Sequence, residues 1–183
     1  MKILIACEYS GAVRDAFIKQ GHDVMSCDLL PTDSPGPHYQ GSVFDVINDG
    51  WDMMIAHPPC TYLAVSGNRW LYNKDKSRNE ERWKNREEGL DFVRALMNAP
   101  IEKIAIENPV SCISSEIRKP DQIIQPWQFG DEAQKTTCLW LKNLPNLKPT
   151  KIVGKGEFTT FKSGKRHPKW YADALATAKT KAE

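Results

Sequence analysis

Short apolar runs separated by polar segments are the most regular feature of this chain. Most of them are rich in Ile, Leu, Val and Met and end at a charged residue, a glycine or a proline. Runs of this length and composition are typical of buried strands. The predicted strands are residues 2–7, 22–28, 41–46, 51–56, 103–109 and 135–141, and a hairpin is predicted within residues 145–164.

Three longer segments carry apolar residues at the spacing of an amphipathic helix. Gly21 and Pro100 follow the first two segments, and both residue types end helices. Strands that alternate with helices predict one α/β domain over residues 1–183, with a mostly parallel sheet and helices on both faces. The predicted helices are residues 12–20, 80–97 and 168–181, with a brief helical segment near Ser115.

Two segments between these elements are strongly polar. Residues 29–40 are rich in Pro, Ser and Asp and are predicted to be loop. Residues 68–86 carry charges of both signs, interleaved with Trp70, Tyr72 and Trp83. Two interpretations of this second segment stay open: a solvated loop that leads into a helix, or a lid that brings basic and aromatic groups to a nucleic acid.

The composition argues against several classes of protein. No apolar run reaches the ~18 residues of a membrane span, and the N-terminus lacks the length and cleavage site of a secretory signal. The five cysteines include no C-x-x-C pair, and the four histidines show no metal-ligand spacing. We therefore predict a cytoplasmic protein with reduced thiols, no disulfide framework, no bound metal and no membrane partner.

Basic residues are concentrated toward the C-terminus. The net charge is only +2, but residues 141–183 contain ten Lys or Arg against three acids. A basic segment on an otherwise acidic body is typical of a face that binds phosphates. A solvated, lysine-rich tail is the alternative. The cations of this segment that are predicted to contact nucleic acid are Lys162, Lys165, Arg166 and Lys169.

Reactive side chains follow two of the predicted strands. The run 51–56 leads into a Pro-Pro turn and Cys60, and the run 103–109 carries Glu107 and Asn108 near its end. Open α/β sheets bind their ligands at the carboxyl ends of the strands. A thiol at that edge is either a nucleophile or a small apolar residue. The second reactive strand end favours a functional role for both Cys60 and Glu107.

The first 28 residues form a strand–loop–helix–strand unit that ends in an acid. Such a unit binds an adenosine cofactor, with the loop against the cofactor's polar tail and the acid on its ribose hydroxyls. The loop has one glycine rather than the G-x-G-x-x-G of dinucleotide sites, which disfavours a dinucleotide. The candidate cofactor-binding residues of this unit are Glu8, Tyr9, Ser10, Gly11 and Asp28.

The first loop, the acid after the second strand, Pro-Pro-Cys and Glu-Asn-Pro occur in an order that resembles the DNA (cytosine-5) methyltransferase family. The resemblance covers roughly residues 2–141 and extends to the small methyltransferase-like proteins of bacteriophages. It implies a Rossmann-like fold and methyl transfer from S-adenosylmethionine to C5 of cytosine in DNA, in the cytoplasm of a bacterial host. It also implies that Cys60 is the nucleophile, that Glu107 is the acid at cytosine N3, and that Asn108 positions the loop.

The same resemblance assigns further positions. Pro58 is implied to contact the cofactor. The family has an acid at the position of Ser42, and the nearby Asp45 is implied to take its place at the cofactor. The residues implied to contact nucleic acid are Pro59, Arg69 and Lys135, the last from the element that corresponds to the family's Gln-Arg-x-Arg.

One difference from the family concerns target recognition. Larger members carry a long recognition region, whereas only residues 141–170 lie between Trp140 and Tyr171. The short segment implies that a partner subunit or a second copy of the chain supplies recognition of the target.

Two alternatives stay open at this point. An enzyme that methylates a free cytidine nucleotide needs no recognition region, and a non-catalytic descendant would bind cofactor or nucleic acid alongside a partner. Two other classes are disfavoured. Amino-directed methyltransferases need Asp or Asn before Pro-Pro and an aromatic after it, where this chain has His57 and Cys60. Zinc deaminases need H-x-E and P-C-x-x-C, and neither motif is present.

Overall fold

A computed structural model describes residues 1–161 and 164–173 of the chain. The α-helices are α1 (Ala12–Ile18), α2 (Glu80–Met97) and α3 (Ile113–Glu116), and short 3₁₀ helices cover Val43–Asp45, Val65–Leu71 and Pro126–Gln128. The strands are β1 (Lys2–Ala6), β2 (Asp23–Asp28), β3 (His38–Gln40), β4 (Met53–Ala56), β5 (Lys103–Pro109), β6 (Gln122–Ile124), β7 (Thr137–Lys142), β8 (Phe158–Thr160) and β9 (Arg166–Pro168).

Seven of these strands form one sheet in the order β3-β2-β1-β4-β5-β7-β6. The five strands from β3 to β5 are parallel, and Ala6 of β1 stands in register with Cys27 of β2 and Ala56 of β4. Chain order reverses between β1 and β4, because β2 and β3 extend the sheet on one side and β4 and β5 on the other. Ligands of such sheets bind outside the carboxyl ends of the strands at this reversal.

The central strands are buried on both faces. All four residues from Ile3 to Ala6 have no exposed surface, and Leu90, Val93 and Leu96 of α2 belong to the same buried core as Leu4. A strand covered on both sides is an uninterrupted apolar run rather than an alternation of apolar and polar residues. This explains why apolar runs alone located most strands of the sheet to within two residues.

The prediction for residues 29–46 was wrong in two places. Residues 38–40 were expected to be loop but form β3, which pairs with β2. The expected strand at 41–46 is a 3₁₀ helix instead, and the Ser42 hydroxyl accepts a hydrogen bond of 3.3 Å from the backbone N–H of Phe44 at its start. Hydrogen bonds to a neighbouring strand stabilise β3, and a short polar edge strand carries little signal of its own.

The chain divides into two compact units. The first consists of Met1–Gln122 and Cys138–Asn146, and the second of Ile123–Thr137 and Leu147–Glu183. Within the second unit, β8 and β9 form an antiparallel hairpin. The hairpin was predicted within residues 145–164, and only β8 lies in that range, since β9 covers Arg166–Pro168. The predicted helix at 168–181 is helical over residues 169–173, and its remainder lies outside the described residues. A single methyltransferase-like domain over residues 1–183 stays a prediction.

An arginine that the sequence pattern did not single out lies in the interior of the first unit. The Arg14 side chain has no exposed surface. Its guanidinium donates hydrogen bonds of 2.8 Å to Asp15, 3.2 Å to the hydroxyls of Ser26 and Thr32, and 2.8 Å to the Ser34 carbonyl. These bonds join α1, β2 and the loop that follows β2. A buried charge persists only when its hydrogen bonds are satisfied in this way.

Replacing Arg14 by methionine should destabilise the protein by about 3 kcal/mol or more, because the loss of one buried partner leaves several polar groups unpaired. Urea unfolding measures the free energy. Arg94→Met is the matched control, since Arg94 is also helical but is partly exposed and pairs with Asp91 on the surface. We expect the control to lose less than about 1 kcal/mol. Similar losses in both variants would show that the Arg14 network contributes little.

Candidate active site

The ends of two adjacent parallel strands bring Glu107 beside His57, three residues before Cys60. Ala56 of β4 stands in register with Ile106 of β5, so the residues that follow them, His57 and Glu107, are also neighbours. His57 Nδ1 lies 3.3 Å from Glu107 Oε2, and about a quarter of each side chain is exposed. A carboxyl group and an imidazole therefore face each other at the sheet edge where ligands bind.

A buried hydrogen bond joins the two strand-end loops. The side-chain amide of Asn108 donates 2.9 Å to the carbonyl of Pro58. The carbonyl of Cys60 accepts hydrogen bonds of 3.0 Å and 2.8 Å from the backbone N–H groups of Leu63 and Ala64. The position of the Cys60 turn relative to β5 is thus set by backbone and amide contacts that leave its thiol free.

Cys60 differs from the other four cysteines in its exposure. Its thiol is exposed, whereas Cys7 is partly buried and Cys27, Cys112 and Cys138 are buried. Burial, together with the nearby Asp28 carboxylate, raises the pKa of Cys7 to about 12 and that of Cys27 to about 11. Burial also raises the pKa values of the Cys112 and Cys138 thiols. These four thiols stay protonated and unreactive near neutral pH, because the thiolate is the reactive form.

Three buried polar atoms beside Cys60 and Glu107 have no hydrogen-bond partner within residues 1–161 and 164–173. They are His57 Nε2, Asn108 Oδ1 and Ser111 Oγ. Buried polar atoms in folded proteins almost always have a partner, which is either protein, water or ligand. Asn108 lies near the end of β5, and His57 and Ser111 lie on the segments that follow β4 and β5, a distribution typical of a site that receives a polar ligand.

A cavity of about 360 Å³ opens at the carboxyl ends of β1 and β2. Its walls are mostly apolar and include Leu29, Val43 and Phe92, and Asp28 contributes the carboxylate. Cys7, which lines this cavity directly after β1, has a φ of 59°, in the left-handed region that non-glycine residues rarely adopt. An apolar slot with one carboxylate suits an adenosine group, with the base between the walls and the ribose hydroxyls on the acid.

The structure separates the candidate cofactor-binding residues into groups. Asp28 lines the cavity. Glu8 is buried and accepts hydrogen bonds of 2.6 Å and 3.2 Å from the backbone N–H groups of Val13 and Arg14, so it caps the start of α1. Asp45 accepts a hydrogen bond of 3.1 Å from the Tyr39 hydroxyl, which raises the pKa of Tyr39.

The remaining candidate cofactor-binding residues are close in sequence to residues that line the cavity but do not line it themselves. Tyr9 is 43% exposed, the Ser10 hydroxyl donates to Glu8, Gly11 precedes α1 with a φ of 75°, and Pro58 is buried. Pro59, which was assigned to nucleic acid, is one of the residues that line the cavity. The binding roles of all these residues stay predictions.

The other candidate nucleic-acid contacts fall in both units. Arg69 belongs to the first unit, is exposed and stacks 4.4 Å from the Trp70 ring. Lys135, Lys165 and Arg166 are exposed residues of the second unit. Lys169, also in the second unit, lies 2.7 Å from Glu157, a hydrogen bond that raises the pKa of its amine and neutralises its charge locally. Lys162 lies outside the described residues.

Sequence reasoning missed the role of His57 in the site. In the sequence, His57 was considered only as a residue that does not fit the motif of amino-directed methyltransferases. Its contact with Glu107 is a direct consequence of strand register. The predicted strands could not have shown this contact, because aligning the ends of 51–56 and 103–109 pairs Ala56 with Pro109 rather than with Ile106.

Within residues 1–161 and 164–173, no helix is both long and apolar enough to cross a membrane. No cluster of three or more His, Cys, Asp or Glu in the same residues is placed to hold a metal ion.

No protein-family model and no curated protein matches the chain. Among solved structures, it is similar to the crystal structure of a protein provisionally named a DNA modification methyltransferase, encoded within a prophage (E. coli). The similarity covers 84% of this chain and 52% of that chain, with 16% sequence identity and a TM-score of 0.53. This chain therefore spans about half the length of that protein. The likeness, together with the mostly parallel sheet, shows that the fold is the predicted one, an α/β Rossmann-like methyltransferase fold.

Proposed function

We propose that this protein methylates C5 of cytosine in DNA, with S-adenosylmethionine as the methyl donor and Cys60 as a covalent nucleophile. The observation that supports the proposal most strongly is the placement of Cys60 and Glu107. The exposed Cys60 follows β4, and Glu107 lies near the carboxyl end of the neighbouring strand β5, in the same unit as the Asp28 cavity. The half-length match to a protein named for DNA modification is consistent with this reaction.

The residues around the cavity fit the proposed cofactor. Asp28 would hold the ribose hydroxyls, and Leu29, Val43 and Phe92 would enclose the adenine. S-adenosylmethionine, when bound, supplies an electrophilic methyl group.

Cytosine C5 is a poor nucleophile because it belongs to an aromatic ring. In the proposed reaction the Cys60 thiolate adds to C6, and the C5–C6 π electrons move toward N3. Glu107 gives a proton to N3 and so prevents negative charge from building up there. The ring is now enamine-like, and C5 carries the electron density needed to accept a methyl group. A base then removes the C5 proton, the C5–C6 double bond re-forms as the Cys60 thiolate leaves, and N3 returns its proton to Glu107.

His57 is a positioning residue in this scheme. A protonated Glu107 can donate to an imidazole nitrogen that lacks a proton, and His57 Nδ1 is within reach at 3.3 Å. The tautomer with the proton on Nε2 leaves Nδ1 free to accept. The imidazole would thus fix the direction of the carboxyl group until cytosine N3 arrives.

We propose DNA as the substrate because of the exposed cations and the open surface around Cys60. A cytosine within a duplex must leave the base stack to reach a thiol at the sheet edge, which requires a few kcal/mol. Lys165 and Arg166 of the second unit are available for phosphates, which give affinity with little sequence choice. Recognition of a particular sequence would come from a partner subunit or a second copy of the chain.

Incubation with methyl-labelled cofactor and, separately, DNA, RNA and cytidine nucleotides tests the proposal. We expect label in DNA, recovered as 5-methylcytosine, with activity that declines steeply as salt rises because phosphate contacts release counterions. Label in a free nucleotide with little salt dependence would contradict the DNA assignment while keeping the Cys60 chemistry. Cofactor binding without any labelled product would point to a non-catalytic descendant.

A further inference from the structure

A second concave surface lies in the segment that follows Cys60. It has a volume of about 380 Å³, and we call it the Trp70 cleft. Trp70 and Tyr72 are 53% and 54% exposed. Arg69 stacks 4.4 Å from the Trp70 ring and Trp83 packs edge-to-face with Tyr72, so part of each ring is covered and the rest is open to solvent. No carboxylate lines the cleft among the residues that the structure describes. Its lining residues are Trp70, Tyr72, Asn73, Lys74, Asn79 and Arg82.

Backbone hydrogen bonds hold the walls of the Trp70 cleft in place. The N–H of Asn73 donates 2.9 Å to the Ser77 carbonyl, and the N–H of Asn79 donates 3.0 Å to the Leu71 carbonyl. The indole N–H of Trp83 donates 3.1 Å to the same Leu71 carbonyl. A surface that is already ordered loses little conformational entropy when it binds a ligand.

Arg82 links the Trp70 cleft to the Cys60 turn. Its guanidinium donates 3.0 Å to the carbonyl of Thr61, the residue after Cys60, and stacks 5.0 Å from the Tyr62 ring. Its Nε is buried and has no hydrogen-bond partner in the described part of the chain. Arg82 also lines the Trp70 cleft, so this cation stands in the cleft wall while it contacts the residue next to Cys60.

We propose that the Trp70 cleft binds an unpaired base that neighbours the target cytosine on the same nucleic-acid strand. The base would stack on Trp70 or Tyr72, and its phosphate would lie against Lys74 and Arg82. Every base has a π face, so stacking of this kind tolerates any sequence, and cations that contact phosphate likewise carry no sequence information. The inference rests on the proposed function, since it takes Cys60 as the position of the target base.

This assignment predicts a preference for strands whose bases are accessible. An intact duplex buries the faces of its bases, whereas a single strand or a distorted step exposes them. The protein should therefore bind single-stranded DNA more tightly than a duplex of the same length, and it should lose that preference when the aromatic faces are removed.

Fluorescence anisotropy with labelled oligothymidylate, and with the same strand paired to oligoadenylate, tests the Trp70 cleft in the absence of cofactor. We expect Trp70→Leu to weaken binding of the single strand by roughly 10-fold or more, because a stacked base contributes on that scale. Trp70→Phe keeps an aromatic face and should bind within a few-fold of the wild type. Tyr72→Leu and Tyr72→Phe repeat the comparison at the second ring.

Two lysine variants, one inside the Trp70 cleft and one outside it, test whether the cleft contacts phosphate. Lys74→Ala should reduce the salt slope of single-strand binding by about 0.7, the value for one phosphate contact. Lys84→Ala removes an equally exposed lysine, which lies outside the cleft and 3.8 Å from Glu88, and should leave the slope unchanged.

The oligothymidylate contains no cytosine, so this test is independent of the Cys60 reaction. Equal affinity of the wild type and both leucine variants for the single strand would overturn the inference, as would tighter binding of the duplex by the wild type. Failure to methylate cytosine while thymidylate binding depends on the aromatic rings would instead count against the proposed reaction alone.

Discussion

Replacing Cys60 by serine should lower the rate of cytosine methylation by several orders of magnitude and leave cofactor binding intact. A hydroxyl is ionised far less readily than a thiol, so the serine oxygen is a much weaker nucleophile toward cytosine C6. The thiol is exposed, and its turn is held by backbone groups that the substitution does not touch. Single-turnover methylation with labelled cofactor measures the rate, and equilibrium dialysis measures cofactor binding.

Cys112→Ala is the matched control for this variant. Cys112 is buried, and burial holds its thiol protonated with a raised pKa, so it has no part in the proposed reaction. We expect the control to methylate DNA within a few-fold of the wild type. Undiminished turnover by Cys60→Ser, with the control also active, would exclude Cys60 as the nucleophile.

Replacing Glu107 by glutamine should slow methylation by roughly 10²–10⁴-fold, the contribution usual for a positioned general acid. The amide keeps the size of the carboxyl group but has no proton to give to cytosine N3. Glu102→Gln serves as the control, because this exposed glutamate precedes β5 and pairs only with Lys103 on the surface. Equal rates for Glu107→Gln and the wild type would remove the acid from the mechanism.

Apolar runs were sufficient to predict most of the sheet, because its central strands are buried on both faces. The runs at 2–7 and 51–56 correspond to β1 and β4, which lie side by side in the interior. The edge strand β3 escaped prediction because its stability comes from pairing with β2 rather than from its own composition. Local pattern is therefore a weak guide wherever a neighbouring strand supplies the hydrogen bonds.

The sequence predicted which strand ends carry the candidate site, but it did not predict the contacts between them. Cys60 and Glu107 could be placed at one edge of the sheet because each follows an apolar run. The contacts that refine the site are contacts between segments some fifty residues apart, namely His57 with Glu107 and Asn108 with the Pro58 carbonyl. Such contacts follow from the register of the two strands, and sequence periodicity carries no information about register.

The Glu8 carboxylate shows that sequence position does not determine which way a side chain faces. Its place after the first strand predicted contact with the cofactor, but both of its oxygens accept hydrogen bonds from residues of the α1 start. A carboxylate at a helix N-terminus is stabilised by exposed N–H groups and the helix dipole. Sequence position alone does not distinguish a side chain that faces a ligand from one that caps the next helix.

The most direct test of the account is the mass of the protein after incubation with S-adenosylmethionine and an oligonucleotide that contains 5-fluorocytosine. Fluorine at C5 cannot be removed as a proton, so the final elimination stops and the bond from sulfur to C6 persists. The account predicts a complex that survives denaturation, has the mass of protein plus methylated oligonucleotide, maps to Cys60 and is absent in Cys60→Ser. A wild-type protein that methylates cytosine in DNA but forms no such adduct, or forms it on another cysteine, would contradict it.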